Sequence, residues 1–520
     1  MTIAVSETEC GLQSVFSAVR HETCKTKINR KRDITMVSKT KRTLAFVLAG
    51  MMAATALAGC TNGGGTTQVS GGTSTPAASQ ASGEGSQSAE KPDAKPIFTD
   101  EMTTTLKDKM ASEAEANEGK IKLKVWCSGD DRLFEMALIE QFKKIYEDPR
   151  YSFAIQVQGA YGEDKAATAI LQDPSVGADI FNFADDQLRG LVQAGAIAKI
   201  SPLFNNNVVA DNTDAAVAVC SIDGTPYAFP RTADNGYFMY YDKTVFDAAD
   251  LESFDGMVAK AKEKGTNVLM AVDNAWYNSG FFFTAGVTIN LKDGKTQEGT
   301  FNTEEGLNGA KAIAHLCESA DNGFKGSGDD SAVVNGFDNG SVKAAVTGTW
   351  NGPAIREKIG AENLGAAKLP TVLMSGEQKQ LCSFGGYKVE GVNAATKFPV
   401  SAQVLAYFLT CPESQLKRYY GVKNDKGETL RRGFIPTATT DSLKAVTNEE
   451  LNGAVDALAA DEAAKAIEGQ RPFSQPQSNA GGKYWTPVGA IGGEILTAKG
   501  NLTDDELRAK LELVVAGFAN

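Results

Sequence analysis

From Ile121 to Gly195 the hydrophobic period of the chain switches back and forth between two and about 3.6, and that alternation sets the fold class. Ile121 to Trp126 has period two and reads as a strand. Leu133 to Tyr146 puts Phe134, Leu138, Phe142 and Ile145 on one face of a helix. Phe153 to Val157 is a second strand, Glu163 to Gln172 a second helix and Asp179 to Phe183 a third strand. Asp186 to Ala194 is a third helix, with Gly195 placed to cap it. Strands alternating with helices imply an α/β fold, with a mostly parallel sheet covered on both faces.

The texture then changes. Asp223 to Pro230 is a turn and a short strand bounded by proline, Tyr237 to Tyr241 is another strand, and a new α/β region starts at Asp242. This predicts a crossover from one lobe to another, and 520 residues suffice for two or three domains.

Residues 1–97 stand outside that folded unit. Lys39, Lys41 and Arg42 precede an apolar run from Leu44 to Ala58, too short to span a bilayer comfortably but suited to a signal peptide. Met36 is the expected start, so residues 1–35 are an extra extension or a mis-assigned start, and 36–59 are the signal. Leu57-Ala58-Gly59-Cys60 resembles the bacterial lipobox, which implies cleavage before Cys60 and lipidation of its thiol. Residues 60–97 are rich in Gly, Ser and Thr and predict a disordered tether.

Composition removes several functions. A net charge of -12 argues against a nucleic-acid partner. With only two histidines, His21 and His315, a His-rich metal site cannot form, and His315 falls in an amphipathic helical pattern. No two cysteines form a CxxC pair, and the five after Cys60 read as mostly free, buried thiols, with a single disulfide in the later half as the alternative. No metal or cofactor is predicted.

Several segments resemble, in order and spacing, the large extracellular solute-binding proteins of ABC importers, the group that contains maltose- and maltodextrin-binding proteins. They are Lys122 to Asp130, Gly177 to Ala184, Leu191 to Gly195, and Asp223 to Pro230 followed by Tyr240 to Lys243. Phe337 to Ala345 with Gly348-Thr-Trp350, and Phe384-Gly-Gly-Tyr-Lys388, complete the series. The resemblance spans Gly119 to Phe518 and implies a periplasmic-binding-protein type II-like two-lobed clamp with hinge crossovers. It implies a first lobe of 98–232 plus 384–436, a second of 233–383 plus 437–520, and a ligand cleft between them that closes by hinge rotation.

A sugar presents apolar C–H faces and a rim of hydroxyls, so its site needs aromatic platforms and charged or amide partners. Candidates lie in loops at the expected places: Asp130 and Asp131, Phe183 and Asp186, Asp234, Asn235 and Tyr237, Trp276 and Tyr277, Trp350, and Tyr484 and Trp485. The resemblance implies sugar contact for Asp186, Trp350 and Trp485; Phe183 departs from the tryptophan usual in the maltose binder. Asp130 or Asp131, and Asp186, also suit helix N-caps. Trp126 and Phe281 to Phe283 read as core.

The expected function is therefore capture of a carbohydrate, maltose, maltodextrin or another oligosaccharide, and delivery to ABC permease transmembrane subunits. No catalysis is expected. The protein would be a monomer on the outer face of the bacterial cell membrane, anchored through Cys60. The competing readings are the same clamp for a polyamine or peptide, and a secreted glycoside hydrolase working with two facing carboxylates.

Overall fold

A computed structural model describes residues 100–163, 165–292, 296–424, 426–476 and 482–519. The expected signal, Cys60 and the tether lie outside these residues. Among the described residues no helix is long and apolar enough to cross a membrane.

The alternation read from the sequence builds a five-stranded sheet ordered 152–158, 120–126, 180–184, 388–392, 228–232. The first three strands are parallel, and Lys388–Val392 runs antiparallel to both its neighbours. The helix Arg132–Ile145 buries Phe134, Leu138, Ile139 and Phe142 against this sheet's core, each at roughly 1.5–3 kcal/mol. Ile145, expected on that face, is exposed; the helix ends there and its C-cap residue Tyr146 turns inward instead. The expected helix at 186–194 is a 3-10 turn, Asp185–Gln187, followed by Leu188–Gln193. Gly195 closes it at φ +64, with the Ala196 N–H donating back to the Leu191 carbonyl at 3.0 Å.

A second five-stranded sheet is ordered 324–325, 268–269, 344–347, 238–242, 364–367. Its core holds Phe281, Phe282, Phe283, Phe301 and the buried faces of Gly482–Thr497 and Asp504–Ala519. Trp126 and the Phe281–Phe283 run are core residues, as expected. Cys127, Cys220, Cys317, Cys382 and Cys411 are free thiols, all buried except the half-buried Cys382.

The chain passes between the sheets at 233–237 and returns before 388. The two passages touch closely. A Cβ on Gly236 would lie 2.8 Å from the Phe384 carbonyl oxygen, so only glycine fits there. A third segment joins them: the Ala233 N–H donates to Ile435 O at 2.8 Å. Beyond it, Thr213 N–H donates to Thr437 O and Thr439 N–H to Asp211 O, and Leu443, Leu451 and Ala454 pack with Leu416 and Tyr419.

Candidate ligand-binding site

The strand Ala344–Thr347 ends in the turn Thr349–Asn351, which carries Trp350 to the region where the sheets meet. The Trp350 indole N–H donates to Asp330 Oδ1 at 2.9 Å. Asn351 Nδ2 donates to the same oxygen at 2.7 Å and to Thr347 Oγ1 at 2.9 Å. Across from the indole lies Lys388, on the first sheet, with its ammonium 5.6 Å from the Trp350 ring centre and 4.5 Å from that of Phe434. Lys388 Nζ pairs with Glu163 at 2.8 Å. Burial alone would push Glu163 up and Lys388 down. Each outweighs that cost for the other, so Glu163 lies below and Lys388 above its ordinary pKa.

A second aromatic wall stands nearby in the chain's later half. Trp276 stacks on Phe384 at 5.1 Å and 16°, and Trp485 leans on both at 6.1 and 5.5 Å. Trp276 opens the helix Ala275–Ala285, whose cap Asn274 accepts from the Trp276 N–H at 2.9 Å. Both tryptophans are half-buried, leaving part of each ring open. Beside Trp485 runs a groove of about 660 Å³ lined by Asp273, Asn274, Ser327, Asp329 and Thr486. Tyr277, hydrogen-bonded to Thr347 and within the field of Asp330, links this wall to the Trp350 turn.

The other predicted residues fall into four groups. Asp130 is exposed at the mouth of the loop before Arg132–Ile145, and Asp186 is half-buried in its turn. Phe183, Tyr237 and Tyr484 are corrected by burial: none has an exposed face. Phe183 packs on Phe181 at 5.4 Å, the Tyr237 hydroxyl donates to Tyr277 O at 3.2 Å, and the Tyr484 and Ser279 hydroxyls share a 2.5 Å bond. Asp234 and Asn235 are buried in the crossing segment. Asp234 Oδ2 accepts from Thr349 Oγ1 at 2.5 Å and from the Ile435 N–H at 3.1 Å, so it braces the Trp350 turn from behind.

Asp131 is likewise corrected, both as ligand contact and as cap. It makes no capping bond. Its carboxylate is buried between Arg231 at 3.1 Å and Arg432 at 2.6 Å. Arg231 also pairs with Glu135 at 2.7 Å and Glu390 at 3.3 Å, and Arg418 with Glu135 at 2.9 Å. Burial opposes ionisation of Asp131, but Arg231 and Arg432 overcome it and hold the carboxyl well below the usual range. Burial pushes Glu390 up to about 8. This hub ties the residue after Asp130 to the strands 228–232 and 388–392 and to Arg432, just ahead of Ile435 in the third inter-lobe segment.

Lys388, Glu163, Asp330 and Phe434 were not singled out in the sequence. Lys388 and Glu390 in an otherwise apolar strand were the available signal, since buried charges require partners. Asp185, beside Asp186 in the turn after 180–184, is another carboxylate whose surroundings oppose its charge. It accepts from the Tyr387 N–H at 2.9 Å, yet burial pushes its carboxyl up to about 6.

The model of the bacterial extracellular solute-binding protein family matches residues 137–424, and the chain belongs to that family. The galactooligosaccharide-binding protein of Bacillus subtilis (strain 168) is 24% identical over 372 residues, covering 68% of this chain and 78% of that protein. A structure solved with acarbose is 29% identical, with a TM-score of 0.64, covering 77% of this chain and 99% of that one. The maltodextrin-binding protein MalE1 from L. casei BL23, solved without ligand, is 23% identical with a TM-score of 0.60 over the same shares, 77% and 99%. The fold is thus the two-lobed clamp of the maltose-binding type.

Proposed function

We propose that the chain captures an oligosaccharide between its lobes and delivers it to the transmembrane subunits of an ABC importer, without altering the sugar. The observation that carries this reading is Trp350. Its ring is held on one lobe by a carboxylate and faces a lysine–glutamate pair on the other. An indole face supplies the apolar platform a sugar ring needs, and the Glu163, Lys388, Asp130 and Asp186 side chains supply hydrogen-bonding partners. Trp485, with Trp276 tilted against it, extends the platform into the groove that it lines. The similarity to proteins named for galactooligosaccharide, acarbose and maltodextrin supports the same ligand class.

The open form meets the ligand, and contacts from both lobes favour closure. We place the first lobe at 98–232 plus 384–436, joined by 437–454, which bonds to 211–213 and packs on Leu416 and Tyr419, and the second at 233–383 plus the remainder of the expected 437–520. We further propose a monomer held by lipid on Cys60 at the outer face of the cell membrane, with 60–97 as its tether. A polyamine is disfavoured because Lys388 already presents a cation to the Trp350 face. Hydrolysis is disfavoured because Glu163 is engaged by Lys388 and Asp330 by Trp350 and Asn351.

The test is titration calorimetry of the purified chain against maltodextrins, galactooligosaccharides and spermidine, with analysis of recovered ligand. Saturable binding of one sugar class, with the sugar intact, is expected. Cleaved sugar, or binding of spermidine alone, overturns the reading.

A further inference from the structure

The position of Trp350 is set by two neighbours. A Cβ on Gly348 would come within 1.9 Å of a carbon of the indole ring, so the ring lies directly against the Gly348 backbone. The edge of the ring is fixed by Asp330, whose Oδ1 accepts both from Trp350 Nε1 at 2.9 Å and from Asn351 Nδ2 at 2.7 Å. Bonds to an ionised acceptor are the stronger kind, and two donors converging on one oxygen define the turn's orientation better than either alone. Asp330 is exposed, so nothing in core packing requires a carboxylate there. It is not the cap of its helix either. Asp329 holds that role, accepting from the Ala332 N–H at 2.8 Å.

We infer that Asp330 is a positioning residue for the Trp350 platform, and that its bond to the indole N–H sets affinity by holding the ring ready for the ligand. The ligand half of this inference rests on the carbohydrate reading above; the positioning half does not. Preorganising an aromatic anchor lowers the ordering cost of binding, and a displaced platform loses affinity even when every ligand-touching atom is still present. The carboxylate's role is that of an acceptor, so a neutral amide oxygen at the same place keeps both bonds.

The test uses the full chain labelled with 15N and read at the indole N–H signals. The chain has 4 tryptophans, and the Trp350 signal is the one lost in Trp350→Phe. Asp330→Ala is expected to shift that signal, speed its exchange with water, and weaken maltodextrin binding about tenfold. Asp330→Asn is expected to keep the signal near its original place and binding within threefold. An unmoved Trp350 indole in Asp330→Ala overturns the positioning role. So does a moved indole with binding within twofold of the parent. If the parent binds no sugar at all, the carbohydrate reading falls, while the indole signals of the alanine and asparagine variants still decide whether Asp330 holds the ring.

Discussion

Replacing Arg231 with methionine tests whether the buried charge hub supports the first lobe. Arg231 is 1% exposed and meets Asp131, Glu135 and Glu390 at 3.1, 2.7 and 3.3 Å. Removing one partner of a buried ion pair costs about 3–5 kcal/mol, chiefly by stranding a charge. Here two of the three carboxylates keep another arginine: Asp131 retains Arg432 and Glu135 retains Arg418. The third, Glu390, has its pKa pushed up to about 8 and is largely protonated at pH 7. The loss at pH 7 should therefore sit at the low end, about 3 kcal/mol. Its pH dependence has a definite sign. Glu390 ordinarily titrates at 4.5, so the folded state binds the extra proton between 4.5 and about 8, and in the parent its contribution to stability falls with rising pH across that window. Without Arg231 the folded pKa rises further, and the fall continues above pH 8 at up to about 1.4 kcal/mol per unit. Urea titrations followed by circular dichroism at pH 7 and pH 9 would show a destabilisation that grows by about 1 kcal/mol at the higher pH. A loss below about 1 kcal/mol at both values would refute the reasoning, because the hub would then be dispensable.

Three other perturbations probe the site and the hinge. Trp350→Ala should weaken oligosaccharide binding by about 1–3 kcal/mol, and calorimetry showing affinity within twofold of the parent removes Trp350 from the site. Asp185, raised by burial from 3.8 to about 6, loses stability as pH rises through that window, since its ionisation opposes folding. Asp185→Asn should flatten the pH dependence between 4 and 6 and stabilise the chain at pH 7 by about 1–2 kcal/mol, a value reduced for the partial exposure of the group; equal or lower stability in a thermal melt at pH 7 contradicts this. Gly236→Ala should cost about 1–3 kcal/mol, because the new methyl meets the Phe384 carbonyl oxygen at 2.8 Å and the backbone there cannot swing aside like a side chain. An unchanged melting temperature would mean that the crossing segments are not in fixed contact.

The elements most legible in the sequence were those whose two faces differ. The strand at 120–126 alternates exposed and buried residues along its first half, and Arg132–Ile145 has one apolar face, so both stood out and their ends shifted by only a residue. The helix Asp100–Glu115 was overlooked for the converse reason. Its buried residues, Leu106, Met110, Ala111 and Ala114, include only two large apolar side chains, too weak a stripe among polar neighbours to register. The position of Ile145 shows a further limit. Periodicity extends a face smoothly to the last residue, while the real helix terminates and turns its cap residue into the core.

The site followed a related logic, and it explains which residues were missed. Trp350 lies in a glycine-rich turn, where a large aromatic has no regular core face to join, so it could be picked out by context alone, whereas Trp485, expected in a loop on the same grounds, sits in the helix Gly482–Thr497 and packs against the core of the second sheet. Phe183 could not be sorted that way. In the strand Ile180–Ala184 residues on both faces are buried, so period-two reasoning does not distinguish a cleft side from a core side. Lys388 and Asp330 act through partners 20 to more than 200 positions away, Trp350 for Asp330 and Glu163 for Lys388. Such pairings arise only once the return strand Lys388–Val392 enters the first sheet beside 180–184 and brings its lysine against a turn of the second lobe. What a local reading of the strand does supply is the demand for a partner: a lysine and a glutamate in a buried five-residue strand, Lys388–Val392, must each be matched by opposite charge elsewhere. Glu163 meets that demand for Lys388 and Arg231 for Glu390. A single strand thereby carries both the lysine that faces the ligand platform and the glutamate of the buried hub, while Asp330 bonds to Trp350 and Asn351, so a change at Arg231 should be felt first in stability and a change at Asp330 in binding.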